Sequence, residues 1–289
     1  MSWLFDGIID FFKQFFIDAI MASFAGIFDS VNQQVGDIAA QVGQTPAGWN
    51  AGVFAMIRTL SELVVLPIAG MILTFVLCYE LIQLIIEKNN LQDFDTFNIF
   101  KWIFKTFIAV FILTNTFNIV LGVFELAQTV VNASAGLIAG TTELGNPAMM
   151  AAIEAQLQGM GLGELVGLFL EIQLVSICLA IMAVVIFVII WGRMMEIYLT
   201  ISIAPIPFST MVNREWSSIG NNYLKALLAL AFQGFLIMVC VAIYAVLVAG
   251  IADAPNIHAA VWTVVGYTAL LAFILLKSGN LSKSVFSAH

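Results

Sequence analysis

The sequence predicts an all-α integral membrane protein, and three observations support that fold class. Hydrophobic residues make up 62% of the 289 positions and charged residues only 10%, whereas a soluble domain carries about 25% charge. The charges are segregated and leave long uncharged blocks, such as 172–192 and 226–252. About 20 apolar residues are enough for a helix to cross the hydrocarbon core, and the alternating strands of a membrane β-barrel do not occur.

Residues 1–52 are predicted to form an amphipathic, interfacial N-terminal region. Within 3–28 the polar residues fall on one stripe at helical spacing, and phenylalanines fill much of the remaining surface. Such a helix lies in the membrane interface or packs in an oligomer, and both interpretations stay open because this stripe is acidic where interfacial helices are usually basic. Residues 29–52 are polar and small, and "GQTPAGWN" is rich in turn-forming residues.

Residues 53–289 are predicted to form the polytopic transmembrane domain. A charged connector at 87–105 and a long connector at 132–164 separate its first three spans. The five predicted spans cover about 60–86, 105–131, 170–192, 226–252 and 258–276, with a proline-broken segment, re-entrant or kinked, at 197–213.

The distribution of basic residues predicts how the spans are oriented, because Lys and Arg gather in cytoplasmic loops. With the N-terminus outside and the C-terminus in the cytoplasm, eight of the ten basic residues fall inside, and only Lys13 and Arg58 fall outside. A sixth span at 197–213 would divide the basic residues less cleanly. The segment is therefore predicted to enter the membrane and turn back, and a proline-kinked span is the alternative.

The proline pair in "IAPIPF" fits such a break. Pro205 and Pro207 each lack a backbone donor and obstruct the preceding helical turn. Broken backbone at membrane depth is tolerated only where protein or a water-filled cavity covers it. Pro205 and Pro207 are therefore candidate functional residues.

Four further positions are candidates. Arg193 and Glu196 lie three residues apart and are predicted to form a structural pair on one helix face, a gate being the sharper interpretation. Trp216 follows the break at the predicted cytoplasmic rim, and Gln233 is a polar residue inside the fourth span.

No catalytic, cofactor-binding or metal site is predicted. Histidine occurs only at positions 258 and 289, which is too few for the usual zinc sites. A phosphate-binding G-x-x-x-x-G-K-[ST] loop and a G-x-S-x-G nucleophile motif do not occur. The net charge of −8, with no basic run, argues against a nucleic-acid-binding surface.

The order of these features resembles a known family. The "IAPIPF" break leads into "REWSSIGNNYLKALLALAFQGFLIMVCVAIYAVL", a polar turn followed by a span that contains Gln and Gly. From about residue 60 onward, the chain resembles the VirB/TrbL-like polytopic membrane subunits of conjugative type IV secretion systems. The positions that carry this resemblance are Ala204, Pro205, Pro207, Trp216, Lys225, Gln233 and Gly234.

The resemblance implies a non-enzymatic channel or scaffold subunit in the bacterial cytoplasmic membrane. Such a subunit helps to move a DNA–protein substrate and contacts it transiently. Its other partners would be the lipid bilayer, further membrane subunits, separate ATPases that supply energy, and copies of itself in a homo-oligomer. The alternative is a small-molecule or ion transporter that uses the broken helix at 204–207, although ionisable groups deep in the spans are scarce.

Overall fold

The computed structural model describes residues 2–86, 96–138, 145–250 and 256–288, and every regular element among them is helical. A π-helical turn, Ser61–Val65, joins the third helix to the fourth. The helices are α1 (Ser2–Val42), α2 (Pro46–Trp49), α3 (Ala51–Leu60), α4 (Leu66–Ile86), α5 (Thr96–Thr114), α6 (Thr116–Ile138), α7 (Pro147–Gly159), α8 (Leu162–Ile203), α9 (Pro205–Thr210), α10 (Ser217–Ala249) and α11 (Ile257–Val285).

Within the described residues, seven stretches are long and apolar enough to cross a membrane. They are α1 from Gly7, the α3–α4 run, α5, α6, α8, α10 and α11. The prediction of an all-α integral membrane protein is thereby confirmed. The number of crossings stays a prediction, because length and composition alone identify these stretches.

Several helices extend beyond the predicted spans. α8 has 42 residues, which at 1.5 Å per residue is about 63 Å, roughly twice the hydrocarbon core. α1 continues to Val42, through much of the polar and small stretch that begins at residue 29, because polar residues such as Gln are also good helix formers. The turn-rich patch then holds two capped helix starts: Thr45 Oγ1 accepts from Gly48 N at 2.9 Å, and Asn50 Oδ1 accepts from Val53 N at 3.0 Å.

The predicted span 105–131 is divided at Asn115 between α5 and α6. Polar side chains compete there with the helix for backbone carbonyls. Asn115 Nδ2 donates to Phe111 O at 2.9 Å, and Thr116 Oγ1 donates to Ile112 O at 3.0 Å. α5 already begins at Thr96, inside the predicted connector, of which residues 87–95 lie outside the described part of the chain.

Pro67 lies in the first turn of α4 and explains the π-helical turn before it. Proline cannot donate to the carbonyl four residues earlier, at Leu63. The backbone widens instead, and Leu66 N donates to Ser61 O, five residues back.

The chain divides into two compact units. The first unit comprises Met1–Val42, Asn132–Ile190 and Ile237–Lys277. The second unit comprises Gly43–Val131, Trp191–Leu236 and Ser278–His289.

In the first unit, side-chain hydrogen bonds join the long helices. Gln173 Nε2 of α8 donates to Ser23 Oγ of α1 at 3.2 Å, and the hydroxyls of Tyr244 (α10) and Thr268 (α11) lie 2.9 Å apart. Such interhelical bonds contribute modestly in a membrane, about 0.6–2 kcal/mol each.

One carboxylate ties α8 to α11 in the same unit. Glu171 bonds to the His258 ring and accepts from Trp262 Nε1 at 2.5 Å. His258, which was expected to open the last span, lies in the first turn of α11.

Among the described residues of the second unit, two buried clusters contribute to the core. The larger joins α6, α8, α9 and α10 and includes Phe117, Ile197 and Leu227. The smaller joins α4 to α5 through Leu73 and Leu113. Both clusters contact the segment after α8, which makes that segment the centre of the second unit.

Candidate functional site

The chain reverses direction between α8 and α10, within the second unit. Tyr223 OH of α10 donates to Thr200 O of α8 at 2.8 Å, and Leu227 shares a buried cluster with Ile197 and Ile201. The two helices therefore run side by side in opposite directions. Residues 204–216 form the tip of this hairpin and are called the proline tip below. Its depth in the membrane stays a prediction.

The helix breaks at Ala204 because of the two prolines that follow. Ala204 N donates to Ile201 O at 3.3 Å, a tighter turn than in an α-helix, and Pro205 then begins α9. Pro207 has no N–H to donate to Ile203 O. The break is therefore confined to Ala204, whose backbone stays in the helical region, and the six residues of α9 follow it.

The polar groups of α9 are satisfied within α9 itself. Ser209 Oγ donates to Ile206 O at 2.6 Å, and Thr210 Oγ1 donates to Pro207 O at 2.8 Å. Both side chains are buried. They therefore offer their protons to their own backbone and do not direct them toward a ligand.

Other helices cover the broken backbone. α9 packs mainly against α4 and also touches α5. Ile206 and Val212 pack on a cluster that contains Ala69 and Ala109. This arrangement meets the requirement that irregular backbone in an apolar environment be shielded by protein.

Trp216 anchors the end of the proline tip to α4. Its ring stacks on Phe75 with centroids 5.7 Å apart and on Tyr79 at 5.6 Å. The neighbouring Glu215 carboxylate accepts from Tyr79 OH at 3.2 Å and from Gln83 Nε2 at 2.9 Å. The three α4 residues lie four apart, on one helix face, so α4 presents a continuous docking strip.

Sequence reasoning missed two residues of the proline tip region. Asn213 is buried, and its Oδ1 accepts from Glu215 N at 2.8 Å while its carbonyl accepts from Ser217 N at 2.8 Å. Gly220 lies so close to the tip that an added Cβ would be 2.6 Å from Pro207 O. Asn and Gly before a span signal a turn, but the close approach depends on tertiary packing.

Arg193 and Glu196 form no salt bridge in the described part of the chain, although the Glu196 charge still acts on the Arg193 guanidinium. The Arg193 side chain is buried, and its Nε has no hydrogen-bond partner among the described residues. Glu196 is exposed and forms a salt bridge with Lys283 Nζ at 3.3 Å. The two side chains point away from each other, because Arg193 is buried and Glu196 faces the exposed surface of α8.

Gln233 joins α10 to α11 and takes no part in the contacts described for the proline tip. Its Nε2 donates to Ser278 Oγ at 3.0 Å in a buried position. One helical turn earlier, Ala229 O accepts from Ser282 Oγ at 2.5 Å. Gln233 therefore helps to fix the end of α11 in the second unit.

A contact near α2 bears on the predicted sides of the membrane. Trp49 lies 4.6 Å from Trp191 between ring centroids, and Tyr198 OH donates to Pro46 O at 2.7 Å. The basic-residue distribution placed residues 29–52 outside and Arg193 inside. Direct contact puts 46–50 and 191–198 at one level, whereas opposite membrane faces lie about 30 Å apart. The orientation of the termini stays a prediction.

Comparison with known proteins yields one family. A family model described as TrbL/VirB6 plasmid conjugal transfer like protein matches residues 31–205, more than half of the chain. Neither a search of curated proteins nor a search of solved structures found a match. The matched range contains Ala204 and Pro205 and ends at the proline tip, so Trp216 and Gln233 lie beyond it. With its apolar helices and this match, the chain belongs to the TrbL/VirB6 plasmid conjugal transfer-like family of multi-pass inner-membrane proteins.

Proposed function

We propose that this chain is a scaffold subunit of the translocation channel in a conjugative type IV secretion system. In that role it helps a DNA–protein substrate to cross the cytoplasmic membrane. The family match over residues 31–205 carries the proposal, because that family is one of conjugal transfer. Other membrane subunits would complete the substrate path, and separate ATPases would supply the energy.

The construction of the proline tip supports a structural role. Its backbone is shielded by α4 and α5, and its end is held by stacking of Trp216 on α4. A tip docked in this way sets the spacing of α8 and α10 in the second unit. Pro205, Pro207 and Trp216 would act as positioning residues and not as a catalytic group.

The chemistry of the proline tip favours a scaffold over an ion or solute transporter. A transporter would use free polar groups at the break to coordinate its cargo. Here the hydroxyls of Ser209 and Thr210 donate to their own backbone. Ala204 and Phe208, which flank the prolines, are buried in an apolar cluster.

A mating assay tests the proposal directly. The gene is deleted from its host element, and DNA transfer to a recipient is scored with and without complementation. We expect transfer to collapse on deletion and to return on complementation. Unaffected transfer would show that the family membership does not extend to this function in the host element.

Replacing both prolines tests the proline tip. In the variant Pro205→Ala/Pro207→Ala, the N–H groups restored at both positions favour a continuous helix from α8 through α9. Straightening that helix would pull Trp216 away from α4. We expect the double variant to reach the membrane fraction, as checked by immunoblot, but to fail in complementation of transfer.

Pro147→Ala is the matched control for the double variant. Pro147 occupies the first turn of α7, where its missing N–H has no helical partner to lose. Transfer should persist in this control. Wild-type transfer from the double variant would remove the break from the mechanism.

A further inference from the structure

A cleft of about 250 Å³ lies between α1 and α8 in the first unit. Its two walls differ in character. The α1 wall is mostly polar and consists of Ser30, Gln33, Gln34, Asp37 and Gln41 together with the buried Ile38. The α8 wall is apolar and consists of Ala183, Ile186, Phe187 and Ile190. Polar side chains on a helix that is apolar enough to span a membrane need hydrogen-bonding or charged partners, because burying them unpaired costs free energy.

Two carboxamide atoms of glutamines that line this cleft are buried without a hydrogen-bond partner among the described residues. One is the donor Gln34 Nε2, and the other is the acceptor Gln41 Oε1. Buried polar groups in proteins are nearly always bonded. The two residues lie seven apart on α1, about 10 Å along the axis. A single ligand that satisfies both must therefore carry an acceptor and a donor separated by about two helical turns.

Charge narrows the class of ligand. Asp37 is the charged residue of the cleft lining, which contains neither Lys nor Arg. No salt bridge involves Asp37 within the described ranges. The site therefore favours a cation and disfavours phosphate or carboxylate groups. Asp37 lies between Gln34 and Gln41 in the sequence, so a cation paired with it is close to one of the two unpaired amides.

We propose that the cleft binds a guanidinium group that is carried on an apolar stem beside a carbonyl, the chemistry of an arginine residue. The guanidinium donates to Gln41 Oε1 and pairs with the Asp37 carboxylate, because its planar fork holds five donors. The stem lies along Ile186 and Ile190, since long basic side chains pack their methylenes on apolar surface. The carbonyl accepts from Gln34 Nε2. This assignment does not depend on the proposed role in DNA transfer.

The test uses the full chain in detergent with the three native cysteines, Cys78, Cys178 and Cys240, replaced by alanine. The exposed Ser30 lines the cleft, and Ser30→Cys reports its occupancy through the rate of labelling by a water-soluble maleimide. The probe is N-acetyl-arginine methylamide, and the matched neutral compound is N-acetyl-citrulline methylamide. We expect labelling to slow about tenfold at a probe concentration about nine times Kd, because the free fraction falls as 1/(1 + [L]/Kd). The citrulline compound should protect far less.

Three variants on the same helix complete the test. Asp37→Asn should abolish protection by the arginine compound, with an unchanged labelling rate in its absence as the check on folding. Asp29→Asn, at an exposed position outside the cleft, should leave protection intact. Gln41→Glu adds a second carboxylate and should strengthen protection, a change that mere damage to the fold would not produce.

Several outcomes would overturn the proposal. They are equal protection by both compounds, protection by neither, protection that survives Asp37→Asn, and failure of Ser30→Cys to label at all, which would mean that the cleft is closed to water. A blocked Ala-Arg-Ala tripeptide separates two sources of the same chemistry. Stronger protection by the tripeptide than by the single residue indicates a polypeptide segment, and equal protection indicates a free guanidinium compound.

Discussion

Gly220 lies closely packed against the proline tip. An added Cβ would be 2.1 Å from Met211 Cγ and 2.6 Å from Pro207 O. The Met211 side chain can change rotamer, but the Pro207 carbonyl belongs to the backbone of α9 and cannot move alone. We expect Gly220→Ala to destabilise the protein, because overpacking costs about 1–3 kcal/mol and outweighs the gain in helix propensity, about 1 kcal/mol. Thermal unfolding in detergent measures the effect as a lower Tm.

Gly192→Ala is the control for Gly220→Ala. Gly192 lies within α8, and an added Cβ there meets nothing within 4 Å. Its Tm should stay level or rise. A Tm for Gly220→Ala as high as that of the control would show that α10 does not begin against Pro207.

For a substitution at Arg193 we expect the opposite effect, a rise in Tm. Its side chain is buried with an unpaired Nε, and a buried charge without full compensation costs several kcal/mol. We expect Arg193→Met to raise Tm, since an unbranched apolar side chain replaces the guanidinium at a gain of about 1–4 kcal/mol.

Arg214→Met removes a charge from an exposed position in the proline tip and serves as the control for Arg193→Met. It should change stability by no more than about 0.5 kcal/mol. A lower Tm for Arg193→Met would mean that the guanidinium stabilises α8 through partners outside the described residues. Running the mating assay on the same variant would then separate a role in folding from a role in transfer.

At the scale of the elements, the link between the proline tip and α4 can be measured by proteolysis. Trp216 stacks on two rings, and each aromatic pair contributes about 0.5–1.5 kcal/mol beyond area burial. Removing both pairs by Trp216→Ala should loosen the tip and speed trypsin cleavage after the exposed Arg214, by about tenfold for a loss of 1.4 kcal/mol. Trp216→Phe keeps a stacked ring and should be cleaved at a rate closer to the wild type. Equal cleavage of all three proteins would show that the stacking does not hold the tip.

The elements also show what the sequence can and cannot predict. Apolar blocks located the helices, because length and hydropathy alone define a membrane-spanning candidate. Their ends were less predictable. α1 continues to Val42 although its last turns are polar, and the predicted span 105–131 divides at Asn115. Both outcomes depend on whether a polar side chain faces a partner helix or its own backbone, which hydropathy does not record.

The residues of the candidate site were also predictable only in part. Pro205 and Pro207 could be identified because a proline acts on its own backbone, whatever surrounds it. The salt bridge of Glu196 could not be predicted, since its partner, Lys283, is 87 residues away. Glycine at position 220 carries no signal of its own until Pro207 is known to lie beside it.

At the scale of the whole molecule, the contact of Trp49 with α8 predicts that the two contacting segments lie on the same side of the membrane. Ala47 and Glu196 are both exposed and flank the contact between Trp49 and Trp191. In intact cells we expect Ala47→Cys and Glu196→Cys, each in the cysteine-free chain, to react with an impermeant maleimide from the same side. Labelling from opposite sides would show that the contact does not form in the membrane.

A third position completes the labelling experiment. Ser217→Cys, just past the proline tip, should react only from the cytoplasmic side if the eight inward basic residues set the orientation. Reaction from outside would reverse the predicted orientation of the hairpin, while leaving its antiparallel geometry untouched.

The hydrogen bond from Tyr198 to Pro46 also has a consequence for synthesis. Its two residues are 152 positions apart, whereas the hairpin bond from Tyr223 to Thr200 spans 23. At about 5–20 residues per second, a ribosome needs roughly 8–30 s after Pro46 to reach Tyr198. The α8–α10 hairpin closes within seconds of its own translation. Trp49 is therefore made long before Trp191 and Tyr198, and its ring lacks these aromatic contacts during that interval.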